Sequence, residues 1–444
     1  MRILIRIINW AILIFGINSP FIMQSASTAA KIAVAAVWCL YFLVFAVFPT
    51  IRKYPTVRLR ILGDGTELIL AFWTTCAASV VFAVLEIGKL IRGDTDYVKY
   101  IVYAVVLLIF EALLFWDGII RIYITSVQLG IKYRVLGIVF GMIPIANLIM
   151  LMLIYQKAHR ELETEIEKFR LNDSRKEQKI CATKYPILLV HGVFFRDSRL
   201  VNYWGRIPAE LEKNGATIYY GNQQSALSVE ASAEELAGTI KEIVTRTGCG
   251  KLNIIAHSKG GLDSRYAISK LGSAEYVASL TTINTPHRGC IFAEYLLNAC
   301  DPKLKSFIEK TYNKAYYALG DEAPDFMAAV KCLTNSYCGE FNKTVPDSPD
   351  VLYQSYGSKA NNRKSGRFPL NVSYPVVKKY DGDNDGLVAL SSAPWGEKFT
   401  AVYPAGRRGI THADMIDLNR EDIKGFDVRE FYVHMVFELK ERGF

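Results

Sequence analysis

The sequence predicts an α/β fold with a mostly parallel sheet over residues 181–444, preceded by an all-α transmembrane region over residues 1–156. Two observations lead to this division. The 444 residues have a mean hydropathy of +0.16, which excludes a disordered or wholly polar chain, and the apolar excess lies in roughly the first 155 residues. From residue 185 onward, short apolar runs alternate with amphipathic stretches, as strands alternate with helices in α/β proteins.

Five transmembrane helices are predicted in the first region. Four runs of 18–24 residues carry no charge, close to the roughly 20 residues that a spanning helix needs. A further apolar run is interrupted only by Glu111 and Asp117. The first helix could instead be a signal peptide with Arg2 and Arg6 as its basic end, but no small-residue cleavage site follows it. The predicted helices cover about 4–24, 31–50, 68–89, 98–121 and 134–156.

Loop charges predict how these helices are oriented. Nine Lys and Arg residues lie before the first helix and in the second and fourth loops, against four in the first and third loops. Because cytoplasmic loops collect basic residues, the N-terminus is expected inside the cell. The first region would then be an integral, multi-pass part of the plasma membrane, and five spans would place the rest of the chain outside the cell. Residues 157–180 oppose this orientation, since they add seven basic residues to the outer side.

The segment 157–180 is predicted to be a charged juxtamembrane linker helix, because Leu162, Ile166 and Phe169 recur at helical spacing. Glu111 lies near the middle of a predicted span, where a charge is costly. Two interpretations of Glu111 are open: an ion or substrate site, or a structural role in which the carboxyl group pairs with a neighbouring helix.

Periodicity assigns the elements of the second region. Short apolar runs are predicted to be strands, and amphipathic stretches are predicted to be helices. The predicted strands are 187–190, 217–220, 252–256, 279–283 and 399–402, and the predicted helices are 208–214, 233–247 and 261–271.

Residues 251–261 carry the strongest chemical signal. An apolar run leads into Ala256-His257-Ser258-Lys259-Gly260, and Gly261 opens a helix pattern. This is the nucleophile-elbow pattern with Ala in place of the usual first Gly. The turn is so tight that the residues two before and two after the Ser must be small, and it points the hydroxyl out at the helix N-terminus. We therefore predict Ser258 as a nucleophile.

A Ser hydroxyl needs a base, and the base needs an orienting acid. In this type of fold both follow the nucleophile in chain order. His412, in a loop after the last predicted strand, is the predicted base; the alternative, His434, lies in a helix-like segment.

The acid is expected on a loop just after a strand, and residues 376–380 lead into the Asp-rich segment 381–388. Asp385 is the predicted acid and Asp383 the runner-up. A calcium loop is a poor interpretation of this segment, because the twelve-residue ligand spacing is absent.

The tetrahedral intermediate of acyl transfer needs backbone N–H donors. Gly192 follows the first predicted strand and lets the chain turn back across the site. The amide of Val193 is therefore expected to be the first donor, and the amide of Lys259, next after the nucleophile, the second.

Five segments of the second region follow one another in a specific order: Tyr185–Gly192, Tyr203–Pro208, Ala256–Tyr266, Thr282–Gly289 and Asn384–Val388. In these segments the chain resembles the true bacterial triacylglycerol lipases of the Pseudomonas and Burkholderia type, over about residues 183–420. The resemblance implies an α/β-hydrolase fold and acyl-ester hydrolysis. It gives Ser258, Asp385, His412, Val193 and Lys259 the same roles that chain order gave them.

The resemblance also implies a structural calcium ion held by two Asp residues. One lies two residues after the catalytic His, where this chain has Asp414. The second should lie about twenty residues before Asp385, but residues 364–366 include no Asp, and Leu418 stands where the family has Gln. Asp414 is thus a candidate calcium ligand in an incomplete site, and the chemistry itself requires no cofactor.

Residues 290–345 should form a cap over the site, as in this family. Two interpretations are open: a mobile lid that opens at a lipid surface, or a fixed helical cap with its apolar residues in the core. The apolar and aromatic residues of this segment are Phe292, Tyr295, Leu296, Leu304, Phe307, Ile308, Tyr312, Tyr316 and Tyr317.

The predicted function is a membrane-anchored serine hydrolase that cleaves acylglycerol-like carboxylic esters, with a lipid or ester substrate and the membrane as partners. One alternative is a channel or transporter whose hydrolase domain is a sensor or scaffold; another is a phospholipase or acyltransferase. The net charge of +9 does not indicate nucleic-acid binding, since no basic stripe with stacking aromatic residues occurs. The six Cys outside the predicted spans would allow disulfides, and Cys332 and Cys338 are close in sequence.

Overall fold

A computed structural model describes residues 2–92, 97–193, 202–298, 301–319, 324–403 and 406–444. The chain divides into two compact units, Met1–Leu171 and Asn172–Phe444. The boundary falls inside the segment that was predicted to be a linker.

The first unit is entirely helical in its described residues. Three of its helices are long and apolar enough to cross a membrane: Thr28–Val47, Val57–Lys89 and Tyr97–Thr125; Ile3–Ile17 is apolar but shorter. On the second of these spans, the hydroxyl of Thr75 donates to Oε2 of the buried Glu111 on the third (3.0 Å). The carboxyl group of Glu111 thus contacts a neighbouring helix, and its function stays a prediction. The helices are α1 (Arg2–Ile17), α2 (Ser19–Ile22), α3 (Thr28–Val47), α4 (Val57–Ile91), α5 (Tyr97–Thr125), α6 (Gly130–Gly141) and α7 (Ala146–Arg175).

The prediction of one helix over 134–156 is wrong. Helix α6 ends at Gly141, a turn follows, and α7 begins at Ala146 and continues through most of the predicted linker to Arg175. The break has a local cause. Pro144 has no backbone N–H to donate, and Ile145 has φ +69°, which lies outside the right-handed helical region.

The second unit is built on a six-stranded sheet in the order β2-β1-β3-β4-β5-β6, and every neighbouring pair is parallel. Helices cover both faces of the sheet, so the predicted α/β-hydrolase class is confirmed. The strands are β1 (Ile187–Val190), β2 (Ile218–Tyr220), β3 (Leu252–His257), β4 (Val277–Ile283), β5 (Leu352–Ser358) and β6 (Lys398–Val402). The helices are α8 (Ile207–Lys213), α9 (Val229–Thr247), α10 (Lys259–Lys270), α11 (Ile291–Asn298), α12 (Pro302–Leu319), α13 (Phe326–Lys331), α14 (Asn335–Thr344), α15 (Leu370–Asp381) and α16 (Val428–Glu441).

Successive side chains of the central strands enter two separate cores. On β1, Leu189 packs in a cluster with Trp204 and Tyr432, whereas Leu188 packs on the other face with Leu236 of α9. Strands β1, β3 and β4 are buried along their whole length, as expected for parallel strands covered on both faces. This rigid centre holds the chain segments that leave the carboxyl ends of the strands.

Two local predictions in this unit are wrong. Residues 376–380, expected as a strand before the acid, belong to helix α15, and strand β5 was not predicted at all. The sequence of β5 is polar, yet its side chains are buried because they find hydrogen-bond partners in β4 and in the segment before β6. Gln354 donates to the hydroxyl of Thr281 (2.9 Å), and Ser355 donates to the carbonyl of Trp395 (2.7 Å).

Helices α11 to α14 stand between β4 and β5, where the cap over 290–345 was expected. Part of this insertion is packed: the amide of Asp325 donates to the carbonyl of Ala226 (2.6 Å), and Phe326 belongs to a buried cluster with Val193. Cys332 and Cys338 are free thiols in the structure. The side chains of Leu304, Phe307, Ile308 and Tyr316, together with Cys300, lie outside the described residues.

Candidate active site

Ser258 lies in the turn between β3 and α10. Its φ of +56° and ψ of −131° are strained for a residue with a side chain. A Cβ on Gly260 would come within 2.4 Å of the carbonyl oxygen of His191. The turn therefore requires a glycine two residues after Ser258, as the elbow pattern predicted.

Asp385 and His412 form a short, buried pair. The Asp385 Oδ2 lies 2.6 Å from His412 Nδ1, and its Oδ1 accepts from the amides of Leu387 (2.8 Å) and Val388 (2.7 Å). The backbone N–H of His412 also donates to the carbonyl of Asp385 (2.9 Å). Because a carboxylate oxygen accepts, this contact matches the His412 tautomer with its proton on Nδ1, which leaves Nε2 free to accept a proton.

The alternative acid and base lie elsewhere. Asp383 is exposed and pairs with Lys359 (2.8 Å) and Lys378 (2.7 Å). These two hydrogen bonds lower the pKa of Asp383 to about 2. His434 is exposed on α16. Neither Asp383 nor His434 makes the Asp–His contact that a catalytic role would require.

His412 lies beside the elbow. Its ring centroid is 4.4 Å from that of His257, the residue directly before Ser258. In the structure as described, no hydrogen bond joins the Ser258 hydroxyl to the His412 imidazole. The fold thus pairs Asp385 with His412 and places His412 beside the residue that precedes Ser258.

Tyr203 connects Gly192, which precedes the predicted oxyanion donor Val193, to the elbow. Its hydroxyl accepts from the amide of Gly192 (3.0 Å) and lies 2.6 Å from Nδ1 of His257. Burial lowers the pKa of His257 well below its usual value, and the nearby His412 lowers it further. His257 is therefore neutral, and its Nδ1 shares a short hydrogen bond with the Tyr203 hydroxyl. Sequence reasoning missed Tyr203 as a site residue, although it stands in one of the quoted family segments.

Val193 and Ser258 line the same cavity of about 50 Å³. Its other walls are apolar and include Leu387 and Val388, which follow the acid, and Ala293 of α11. A water molecule occupies about 30 Å³ of the liquid, so an acyl chain needs more room than this conformation offers. The lining of the cavity is suited to an apolar group next to the nucleophile.

The side chain of Lys259 is held by polar partners outside the proposed catalytic residues. Its ammonium group is buried and lies 2.8 Å from both Asp263 Oδ1 and Ser232 Oγ. Burial raises the pKa of Asp263, and the adjacent Lys259 opposes that rise. The side chain of Lys259 anchors α10, and its backbone amide remains available for the predicted role.

The surroundings of Asp414 do not fit a calcium ion. Both carboxylate oxygens of Asp414 accept from the guanidinium of Arg408 (2.6 and 3.0 Å), and one also accepts from the amide and hydroxyl of Thr411 (2.8 and 2.7 Å). Within the described ranges, no group of three or more His, Cys, Asp or Glu residues could hold a metal ion. The charge of Asp414 is thus balanced by protein groups.

Comparisons with known proteins place the chain among esterases and lipases. A family model described as "Putative serine esterase (DUF676)" matches residues 208–316. The chain is 34% identical over 279 residues to a triacylglycerol lipase of Pseudarthrobacter phenanthrenivorans, covering 50% of this chain and 87% of that protein. It is also 34% identical to a triacylglycerol lipase of Burkholderia plantarii, covering 50% and 77%, and 29% identical to triacylglycerol lipase 2 of Saccharomyces cerevisiae, covering 55% and 75%.

Proposed function

Because the chain belongs to the triacylglycerol lipase family and is a carboxylic ester hydrolase, we propose that it is a membrane-anchored serine hydrolase of acylglycerol-like esters. The single observation that supports a Ser-His-Asp mechanism best is the buried contact between Asp385 and His412 at 2.6 Å, next to the strained Ser258 turn.

Each step of the reaction is assigned to a described group. Ser258 Oγ attacks the ester carbonyl carbon and passes its proton to His412 Nε2, while Asp385 stabilises the imidazolium. The amides of Val193 and Lys259 donate to the oxyanion of the tetrahedral intermediate. His412 then protonates the leaving alcohol, and a water molecule activated by the same imidazole hydrolyses the acyl-enzyme. No step uses a metal ion.

The proposed substrate is a glycerol ester with an apolar acyl chain. The relatives named above are triacylglycerol lipases, and the cavity beside Ser258 is apolar on the sides formed by α11 and α13. A series of triglycerides, phospholipids and short-chain esters separates this substrate class from a phospholipase activity. Adding an alcohol acceptor and measuring new ester separates it from acyl transfer.

The membrane anchor is proposed from the first unit. Three helices are long and apolar enough to cross a bilayer, and many apolar side chains, such as Leu40 and Val81, face outward. A soluble surface rarely carries such wide apolar exposure. We assign this unit to a multi-pass plasma-membrane anchor that holds the hydrolase next to lipid substrates.

The test uses the full-length protein in detergent. Ser258→Ala is expected to abolish both p-nitrophenyl ester hydrolysis and labelling by a fluorophosphonate. The matched control is Ser264→Ala on the same helix, since the Ser264 hydroxyl donates only to the backbone carbonyl of Gly260 (2.7 Å). Labelling that survives in Ser258→Ala would overturn the assignment, and the Ser264→Ala control should be labelled like the wild type.

A further inference from the structure

The helical unit has two ends, which its polar contacts distinguish. At the end that contains the start of α1, Arg6 pairs with Glu67 of α4 (2.6 Å). At the opposite end, Asn18 contacts Ser79 (3.3 Å), and Gln24 contacts Glu86 of the same helix (3.5 Å). Helices α1 and α2 therefore run parallel to α4, from the first end to the second. We call these the proximal end and the distal end.

Helix α7 returns to the proximal end. The Glu161 carboxylate accepts from Arg58 at the start of α4 (2.6 Å), from the Ser126 hydroxyl (2.6 Å) and from the amides of Val127 and Gln128 (3.0 and 3.1 Å). Residues 126–128 directly precede α6. The carboxylate is 2% exposed and so fixes α7 to the point where α6 begins.

A second ion pair places the same turn of α7 at the same end. Glu163 accepts two hydrogen bonds from Arg52 in the segment before α4 (2.6 and 3.3 Å). The chain thus enters α6 at the proximal end and is back there by residue 161.

The turn between α6 and α7 lies only part of the way along the unit. The twelve residues of α6 extend about 18 Å at 1.5 Å per residue, whereas the hydrocarbon core is about 30 Å thick. Gly141 and Asn147, on either side of the turn, line a cavity with Phe72 and Phe115. Phe72 lies about halfway between the proximal contact at Glu67 and the distal contact at Ser79.

Backbone within a bilayer has to satisfy its polar groups internally, and three amides of the turn do so. The amide of Ile143 donates to Phe140 (3.1 Å), that of Ala146 to Pro144 (2.8 Å), and that of Asn147 to Ile143 (2.9 Å). The side chains at the tip are apolar and outward: Met142 is 90% exposed and Ile145 is 73% exposed. They are suited to contact lipid.

We propose that α6 and the first part of α7 form a re-entrant hairpin and not a fifth crossing. The crossings are then α1 with α2, α3, α4 and α5, and the chain leaves the unit at the end where it began. This even number removes the conflict in the loop charges. The seven basic residues of 157–180 join the nine already on that side, against four at the distal end. By the positive-inside rule the proximal end is cytoplasmic.

The consequence for function is a different lipid pool. On the basis of the proposed esterase function, the Ser258 site meets acyl esters of the cytoplasmic leaflet or of the cell interior, and not esters supplied from outside. The sequence prediction of an external hydrolase depended on five crossings, the fifth of which is the hairpin.

Cysteine labelling of the full-length protein in intact cells tests the topology independently of catalysis. Ser25→Cys, at the distal end, and Ser174→Cys, near the end of α7, both replace exposed side chains. A membrane-impermeant maleimide is expected to label position 25 in intact cells, and position 174 only after permeabilisation. Mass spectrometry of the labelled peptides separates these sites from the native cysteines. Labelling of position 174 in intact cells, or protection of position 25, would overturn the proposal.

Two further measurements keep the outcome independent of single variants. A green fluorescent protein fused after Phe444 should fluoresce, and alkaline phosphatase at the same position should be inactive; the reverse result would refute the topology. A sulfonated, impermeant fluorophosphonate should label inverted vesicles and not right-side-out vesicles. If the cysteine data place position 174 inside and the probe labels neither preparation, the proposed esterase function fails while the topology stands.

Discussion

Replacing Asp385 with Asn should change one of the three side-chain hydrogen bonds at that position and leave the other two. The amide oxygen of Asn can still accept from the N–H groups of Leu387 and Val388. The amide nitrogen, however, would face His412 Nδ1, which now lies 2.6 Å from a carboxylate oxygen. Because an amide NH₂ donates, it favours the tautomer with Nδ1 bare and Nε2 protonated.

That tautomer cannot accept the proton of Ser258. In a Ser-His-Asp triad the same exchange lowers kcat by about 10⁴, which corresponds to about 5.5 kcal/mol of transition-state stabilisation. We expect a loss of this size for Asp385→Asn in the full-length protein. KM should change little, because the substrate does not contact Asp385 and its ground-state binding is retained.

The matched control is Asp383→Asn, which makes the same chemical change two residues earlier in the same loop. Its carboxylate pairs with Lys359 and Lys378 on the surface, and exposed pairs contribute only about 0–1 kcal/mol. Activity should stay within about twofold of the wild type, because the change removes only exposed ion pairs and leaves the contact between Asp385 and His412 intact.

The assay measures kcat and KM on p-nitrophenyl butyrate, together with the rate of fluorophosphonate labelling and the melting temperature. Equal melting temperatures would show that both variants fold. An Asp385→Asn enzyme that keeps more than about a tenth of the wild-type kcat would refute the role of Asp385, since one factor of ten is only 1.36 kcal/mol. A large loss of kcat that is confined to Asp383→Asn would also refute the role of Asp385.

Three other predictions follow from described contacts. EDTA should leave activity unchanged, because Arg408 and not calcium balances the charge of Asp414; a loss of activity in EDTA that calcium restores would contradict this assignment. Arg408→Gln leaves the buried Asp414 without its cation and should lower the free energy of unfolding by about 3 kcal/mol. Burial lowers the pKa of His257 and His287 below 6.5, so the unfolded state binds more protons, and stability should be full above pH 6.5 and fall at lower pH. In urea titrations, His287→Asn should reduce this slope by up to about 1.4 kcal/mol per pH unit. Ala293→Phe should fill the cavity beside Ser258 and lower kcat/KM for long-chain esters more than for acetates; an equal loss on both would place the acyl group elsewhere.

The elements that sequence predicted well are those with local causes. The elbow could be recognised because the apolar strand, the small residues around Ser258 and the helix pattern opened by Gly261 follow one another in the sequence, although the backbone that excludes a Cβ at position 260 belongs to the distant His191. Strand β1 is apolar throughout and was placed correctly at 187–190. The Asp385 loop could be found because its turn is closed by the carboxylate itself.

The elements that were missed depend on distant partners. Strand β5 is polar, and only the contact of Gln354 with Thr281, 73 residues away, makes its burial acceptable. Residues 376–380 include two adjacent valines, which favour a strand, but Val377 is buried within helix α15. The role of Tyr203 depends on Gly192 and on His257, 54 residues away. Such contacts leave no periodic signal in the sequence.

The error over 134–156 has a different origin, and it shows why hydropathy alone cannot count membrane crossings. A charge-free run of sufficient length is necessary for a span, but the run also has to be one helix, and Pro144 divides this one. The loop charges already contained the information: under five crossings, the seven basic residues of 157–180 stood on the wrong side. A conflict between length and charge of this kind indicates a hairpin, because a segment that turns back satisfies the apolar length and returns its flanking charges to the same face. The Glu161 carboxylate, which binds the start of α4 and the start of α6 together, is the contact that a spanning helix could not make.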